Sequence, residues 1–486
     1  ISRFHNLSKI KFIKMESKYT LGMIGLGTMG RNLLLNMADN GFAVTGYDKD
    51  PKMIQKLKDD GAKHNLSAFE SLEDFVASLE LPRRIMLLVP AGPIVDSVIK
   101  ELQPLLDKGD MIIDSGNSHF TDTSRRAIEL SDIGIHFFGM GISGGEEGAR
   151  FGPSIMPGGD KTAYGSMKAI LEAVSAKVNG DPCVTYIGPG ASGHFVKMVH
   201  NGIEYSMMQL LAESYDIMKN ALDYSNEEIY NVFEKWNNGR LQSFLLEVTR
   251  DIFKMKDDLG SGNFLVDMIK DEAKSKGTGK WTSQVSMDLQ LPIPTINEAV
   301  STRDLSKFKN LRTALAAAYK QDVPFAENKE QFIVELEQAL YFSVITSYAQ
   351  GLHLLWQASI TYEYELNLHE IAQIWRGGCI IRAEFLEDIY QAYKKQPDLE
   401  HLYADAGVQE KMKEILPGMR SVVKHALQSG LAIPAFASAL TYFDSLRTER
   451  MPANLIQAQR DFFGAHRFER TDAEGTFHAI WNPIQS

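Results

Sequence analysis

The sequence predicts two folded parts of different class: an α/β domain with a doubly wound, mostly parallel sheet over residues 15–192, then a large all-helical domain over residues 193–450. From residue 19 to 187, short apolar runs alternate with longer amphipathic ones, as strands and crossover helices do. Gly188-Pro189-Gly190 breaks that alternation. Beyond Ser192 long helical periodicity replaces it, up to about Arg450.

Taken in order, the expected strands are residues 19–24, 43–47, 84–89, 111–114, 133–138 and 183–187. The helical part carries signs of a diverged duplication: Ser214-Tyr215 is echoed by Ser347-Tyr348, and Trp236 with Gly239 by Trp375 with Gly378. Residues 451–486 hold Pro452, Gly464 and Pro483 with little sustained periodicity, which reads as a tail. Residues 1–14 contain Arg3, Lys9, Lys11 and Lys14 and no acid, faintly like a transit peptide, and Met15 is the expected start.

Composition narrows the function. With 44% hydrophobic and 23% charged residues in 486, the chain is of ordinary globular make-up. Lys and Arg total 51 against 62 Asp and Glu, a net charge of −11, which disfavours nucleic acid or an anionic membrane as partner. An anionic ligand therefore needs a local basic pocket. No apolar run reaches the roughly 18–20 residues of a membrane span. Cys183 and Cys379 are too few for a disulfide framework or a four-thiolate zinc site; they read as buried packing residues and suit a reducing, cytoplasmic setting. No metal is expected, because neither HExxH nor an EF-hand loop occurs.

The first expected strand leads into Gly25-Leu26-Gly27-Thr28-Met29-Gly30 and then a helical run. Between strand and helix, Gly25 permits the tight turn, Gly27 lets the backbone approach a pyrophosphate, and Gly30 allows close packing of helix on strand. The helix N-terminus supplies donors and dipole, so the motif predicts dinucleotide binding. Asp48 ends the second strand, near the offset of roughly 20 residues at which an acid reads a ribose diol. It also fits a helix cap before Pro51, and the two roles are compatible.

A second pattern lies on the first long helix, where Lys197, His200, Asn201 and Glu204 fall at i, i+3, i+4 and i+7 and share one face. Charged helix positions usually mean a solvated face. Here Phe195, Val196, Met198, Val199 and Ile203 fill the other directions, so the stripe is expected to line a cleft. Such a face suits alcohol oxidation beside a nicotinamide: a lysine kept neutral by burial takes the hydroxyl proton, and a carboxyl with raised pKa serves as acid. Ser143-Gly144-Gly145 offers backbone N–H groups and a hydroxyl to a carboxylate. Lys276-Gly277-Thr278-Gly279-Lys280-Trp281-Thr282 suits a phosphate, although it reads equally as a flexible surface loop.

These runs join Ile112-Ile113-Asp114-Ser115-Gly116-Asn117-Ser118, Gly141-Ile142-Ser143-Gly144-Gly145-Glu146-Glu147-Gly148-Ala149-Arg150, Trp375-Arg376-Gly377-Gly378-Cys379 and a segment ending Arg460-Asp461-Phe462-Phe463-Gly464-Ala465-His466. Together they resemble the 6-phosphogluconate dehydrogenase family, the decarboxylating enzymes of the oxidative pentose phosphate pathway, from about residue 18 to 478. The resemblance implies Lys197 as catalytic base and acid and Glu204 as general acid. It implies that Asn117, His200 and Asn201 orient substrate and nicotinamide, that Ser143, Gly144 and Gly145 hold the substrate carboxylate, and that Tyr205, Lys276, Thr278 and Arg303 hold its phosphate. The cofactor set would be Gly25, Leu26, Gly27, Thr28, Met29, Gly30, Asp48, Lys49, Val89 and Asn117. Arg460 and His466 would come from the tail of a second subunit, giving a homodimer with shared sites.

The implied reaction oxidises a phosphorylated sugar acid at C3, loses CO₂ from the resulting β-keto acid and yields ribulose 5-phosphate. NADP is the family's usual cofactor, but Asp48-Lys49-Asp50 stands where NADP-using members carry Asn-Arg-Thr, so NAD stays open. Lys49 and Arg31 are the cations available to offset Asp48. Ser115 replaces a common Gly, and His119-Phe120 a common Glu-Tyr pair. Two alternatives differ in what they require. Another 3-hydroxyacid dehydrogenase would need neither the 276–282 run nor Arg303, and a non-catalytic cofactor-binding protein would need neither Lys197 nor Glu204.

Overall fold

The computed structural model describes residues 19–319 and 328–481, so Met15, the basic segment before it and Pro483 lie outside the described residues. The α/β part runs β1 (Leu21–Ile24), α1 (Thr28–Asp39), β2 (Val44–Tyr47), α2 (Pro51–Asp60), β3 (Leu66–Phe69), α3 (Leu72–Ala77), β4 (Arg84–Leu87), α4 (Pro93–Leu102), β5 (Met111–Asp114), α5 (Phe120–Ser131), β6 (His136–Ser143), α6 (Gly145–Phe151), β7 (Ser154–Gly159) and α7 (Lys161–Val174). Its sheet is ordered β3-β2-β1-β4-β5-β6-β7, parallel except for the antiparallel β6–β7 pair. β1 and β5 are buried along their whole length, as strands covered by helices on both faces must be. Chain order reverses between β1 and β4, and the crevice beyond their carboxyl ends is where the glycine loop stands.

The sheet departs from the expected strands in several places. β3 lies outside them, since Leu66-Ser67-Ala68-Phe69 has only a weak apolar signal. β7 contains Pro157, Gly158 and Gly159, which argue against a strand, yet as the last strand of the ladder, with only isolated bridges on its outer side, it tolerates them. The expected strand at 183–187 instead runs beside β7, held by isolated bridges at Ile155–Val184 and Gly158–Gly188. The run expected at 133–138 is β6, which starts later and continues to Ser143.

After the short hairpin β8 (Lys177–Val178) and β9 (Asp181–Pro182), the helical part comprises α8 (Ser192–Asp216), α9 (Asn226–Asn237), α10 (Phe244–Ile252), α11 (Leu265–Met268), α12 (Thr278–Asp288), α13 (Pro294–Leu305), α14 (Lys309–Ala318), α15 (Lys329–Thr361), α16 (Leu368–Trp375), α17 (Phe385–Lys395), α18 (Ala406–Gln428) and α19 (Pro434–Leu446). The long helices α8 and α15 meet where Gly351 leaves room for Ile203 and Val199. Phe195, Val199 and Ile203 are fully buried, at about 1.5–3 kcal/mol for each such side chain, so packing holds α8 in place.

α13 and α19 each begin at Ile-Pro with nearly the same entry geometry, φ −128° and ψ 55° at Ile293, φ −126° and ψ 52° at Ile433. Each N-terminus is met by a buried polar side chain from the long helix of the other half. Glu213 of α8 accepts from the N–H groups of Ala435 and Phe436 at 2.9 and 3.0 Å, and Gln350 of α15 accepts from Thr295 N–H at 3.1 Å. A duplicated sequence would produce this reciprocal arrangement. Cys183 and Cys379 are buried, free thiols.

The segment expected to be irregular holds regular structure: α20 (Ala453–Gly464) and the hairpin β10 (Phe468–Glu469) and β11 (Thr476–Phe477). Pro452 and Gly464 bracket the helix rather than break it. Among the described residues no helix is long and apolar enough to cross a membrane.

Candidate active site

The cofactor motif stands as its glycines require. Gly25 has φ 95°, a side chain at Gly30 would meet the Gly25 carbonyl oxygen at 1.9 Å, and the space before Gly27 is open. Two cavities adjoin along this loop, sharing Gly27, Leu88, Val89 and Pro90. The larger, about 680 Å³, is lined by Thr28, Met29, Asn117, His119, Lys276 and Trp281. The other, about 470 Å³, is lined by Gly25, Tyr47, Asp48, Lys49, Ser97 and Glu101. Two chambers joined at open backbone and a helix N-terminus fit a dinucleotide, pyrophosphate at the loop and one nucleoside on each side.

Asp48 is not the cap of α2. Asp50 is, accepting from Lys52 N–H at 2.9 Å. Asp48 turns toward the glycine loop, where one carboxylate oxygen accepts from Leu26 N–H at 2.7 Å and the other from Asp50 N–H at 2.9 Å. The two cations expected to offset it are engaged elsewhere: Lys49 pairs with Glu101 at 2.8 Å, and Arg31, with its side chain 10% exposed, with Asp60 at 3.1 Å.

Across the larger cavity's wall, α8 rests on a floor of glycine. β6 sends Phe138, Met140 and Ile142 into the core beneath α1 and α7, and the alternation leaves Gly139 and Gly141 facing α8. A side chain at Gly141 would lie 2.3 Å from Lys197 Cβ, and one at Gly139 2.6 Å from the His194 ring. The helix carrying the stripe therefore sits directly on the sheet.

On that helix Lys197, His200 and Asn201 are buried, with Glu204 at its partly open end. Lys197 Nζ lies 3.4 Å from His200 Nδ1, which is 3.1 Å from Asn201 Oδ1 and 3.9 Å from Glu204 Oε2. Ser143 Oγ accepts from Ile380 N–H at 3.4 Å and stands 3.2 Å from His200 Nε2. The network thus assigns the neutral tautomer with the proton on Nδ1, donated to Asn201, while Nε2 accepts from Ser143.

Burial pushes the Lys197 ammonium pKa down, against the pull of Glu204. Burial, seconded by the Lys197 charge, pushes His200 well below the usual histidine range. Burial raises the Glu204 carboxyl pKa, opposed by Lys197 and Arg303. Each group is moved toward its neutral form, the state in which lysine is a base and a carboxyl an acid.

Three of the expected phosphate residues, Tyr205, Thr278 and Arg303, gather beside the middle of α8. The Arg303 guanidinium lies 3.7 Å over the Tyr205 ring. Gly279 lets α12 approach that ring, and the Thr282 hydroxyl ties α12 to α8 by donating to the Met198 carbonyl at 2.9 Å. Thr278 is buried at the start of α12, while Lys276 is exposed and borders the cofactor cavity. Gly144 and Gly145 open α6 beside Ser143, with φ 132° and 64°.

Arg460 and His466 are not brought to this site. Both are exposed on the tail, where Arg460 donates to Gln457 Oε1 and His466 packs against Phe463. Among the described residues no hydrogen bond or ion pair joins either to the α8 stripe of its own chain. The tail closes instead on buried Asp461, which accepts from Arg467 N–H, His478 Nδ1, Ala479 N–H and Trp481 Nε1 at 2.8–3.1 Å. Sequence reasoning missed this hub and also Glu101, an acidic position on a surface helix with no local pattern to mark it.

Comparison with known proteins matches residues 20–188 to the NAD binding domain of 6-phosphogluconate dehydrogenase and residues 193–481 to that enzyme's C-terminal domain. A Lactococcus lactis protein named 6-phosphogluconate dehydrogenase, decarboxylating, is 50% identical over 463 residues, 95% of this chain and 98% of the relative. The NADP(+)-dependent, decarboxylating 6-phosphogluconate dehydrogenase of Bacillus subtilis is 49% identical over 467 residues, 96% and 99%. The solved 6-phosphogluconate dehydrogenase of Plasmodium falciparum, described in its apo form and with NADP+ and 6-phosphogluconate, superposes with a TM-score of 0.92 at 45% identity, covering 95% of this chain and all of that one. With both halves matched along nearly the whole length, this chain belongs to the 6-phosphogluconate dehydrogenase family.

Proposed function

We propose that this chain oxidises and decarboxylates 6-phosphogluconate to ribulose 5-phosphate and CO₂ with NADP. The observation that carries this reading is the buried stripe, three polar side chains sealed against β6, the strand whose Ile142 lines the larger cavity of the dinucleotide crevice. The residues lining the larger cavity, Asn117 among them, would hold the nicotinamide, which would supply the hydride acceptor. Lys197, pushed toward its neutral form by burial, takes the C3 hydroxyl proton as hydride departs. It returns that proton to the C3 carbonyl oxygen as the carboxylate leaves as CO₂, and Glu204 then protonates C1 of the enediol.

His200 stays neutral throughout and links Lys197 to Ser143, while the Ser143-Gly144-Gly145 run cradles the substrate carboxylate through backbone N–H groups. Asn117 borders the nicotinamide chamber, while Asn201 fixes the His200 tautomer. Tyr205, Lys276, Thr278 and Arg303 hold the phosphate, a local basic corner on an acidic protein. Gly25, Leu26, Gly27, Thr28, Met29, Gly30, Asp48, Lys49 and Val89 hold the cofactor. Arg460 and His466 complete the site of a second copy in a homodimer, a reading supported by the tail's exposed apolar face. The reading extends to a cytoplasmic enzyme whose parts are residues 15–192, 193–450 and 451–486.

The test is a paired assay of 6-phosphogluconate with NADP and with NAD, following reduced nicotinamide and released CO₂ together. Both products should appear in equal amounts. Reduced cofactor without CO₂ would favour another 3-hydroxyacid dehydrogenase, and neither product a non-catalytic role.

A further inference from the structure

The ribose chamber holds two carboxylates, Asp48 and Glu101, and one ammonium, Lys49. Asp48 cannot turn away, because both its oxygens are held by backbone N–H groups of the glycine loop and of Asp50. Glu101 projects from the last turn of α4, where Ser97 Oγ donates to its Oε1 at 3.3 Å and Lys49 Nζ reaches the same oxygen at 2.8 Å. Arg31, whose Nε lies 3.1 Å from Asp60, is not among the residues that line the chamber. A neutral ribose diol can still bond to the remaining lone pairs of Asp48. A 2′-phosphate, in contrast, meets two like charges and must compete with Glu101 for the only cation lining the chamber among the described residues.

We propose that Glu101 is a specificity-determining residue for the cofactor: by occupying Lys49 it withholds that ammonium from the 2′-phosphate and weakens NADP relative to NAD. This rests on the dinucleotide reading of the crevice. The Lys49 and Glu101 side chains are 65% and 38% exposed, so the pair itself contributes little to stability. Its consequence for a dianion entering the same space is larger, since removing Glu101 both lifts a repulsion and frees a counter-charge. Screening at such exposure keeps the expected effect near tenfold, and smaller at high salt.

The experiment is calorimetric titration of the whole protein, parent and Glu101→Gln, with adenosine 2′,5′-bisphosphate and adenosine 5′-monophosphate, probes that differ only in the 2′-phosphate. NADP and NAD are titrated beside them. Glu101→Gln should tighten the bisphosphate and NADP about tenfold and move the monophosphate and NAD by less than about twofold. Adding Lys49→Met to Glu101→Gln should abolish the gain, so that Lys49→Met costs NADP much more in the Glu101→Gln background than in the parent. Equal changes for both probes, or none, would overturn the role of Glu101. Failure of the parent to bind any of the four ligands would overturn the cofactor reading beneath it.

Discussion

In the proposed function the ribose chamber and the α8 stripe are two ends of one site, yet they are built by opposite means. The chamber is made of backbone donors and half-exposed charges on loop and helix ends, where water screens each group. The stripe is made of side chains sealed on a helix that rests on glycines, where desolvation decides which groups are charged. The difference predicts graded responses in the first region and all-or-none responses in the second.

The sharpest break is at Lys197. Lys197→Met should still bind cofactor in a titration but lose at least about a hundredfold in turnover, the lower end of general acid–base contributions. Near-normal turnover would place the base elsewhere.

A mixing experiment extends the contrast to the tail. Inactive Lys197→Met and inactive Arg460→Ala subunits, re-associated in equal amounts, should recover about a quarter of parent activity, because half the dimers are mixed and each of those has one intact site. No recovery in verified mixed dimers would mean that each site is complete within one chain.

Glu204 tests the titration logic. Lys197 must be neutral, and its lowered pKa brings that condition to lower pH; Glu204 must be protonated, and its raised pKa extends that condition to higher pH. Activity should therefore fall on the acid side as Lys197 protonates and on the alkaline side as Glu204 ionises. Glu204→Gln should slow turnover, cut solvent deuterium incorporation at C1 and flatten the alkaline limb. An unchanged limb would assign it to another group.

The smallest effect belongs to the chamber. Asp48→Asn should shift the ratio of kcat/KM for NADP over NAD toward NADP by at least about tenfold, roughly 1.4 kcal/mol. A constant ratio would show that Asp48 serves only its two backbone bonds.

The same contrast governs what could be read without coordinates. The glycine loop and Asp48 were legible because strand, turn and helix follow one another within roughly 30 residues of chain. The stripe was legible because helical period alone gathers Lys197, His200, Asn201 and Glu204. What walls it was not, since Ser143, Ile380 and Trp375 meet around His200 only through tertiary packing. β7 hid behind Pro157 and two glycines whose tolerance depends on an edge position. Asp50 rather than Asp48 caps α2 because the glycine loop's N–H claims Asp48 first. The pairing of Lys49 with Glu101 joins residues 52 apart, beyond any local pattern.

The tail's closure on Asp461 bears on how the molecule survives handling. Burial would raise that carboxyl pKa, but the bonds from His478, Ala479, Trp481 and Arg467 outweigh it and hold the group ionised far below the usual carboxylate range. The segment is thus organised before anything covers it, and it displays Leu455 at 61%, Ile456 at 60% and Phe463 at 73% exposure. A covering partner gains this face without first ordering a disordered chain, so little conformational entropy stands against association. The corollary is that a lone copy keeps a finished adhesive surface in water. If the proposed homodimer covers this face, dilution that separates the two copies should expose it.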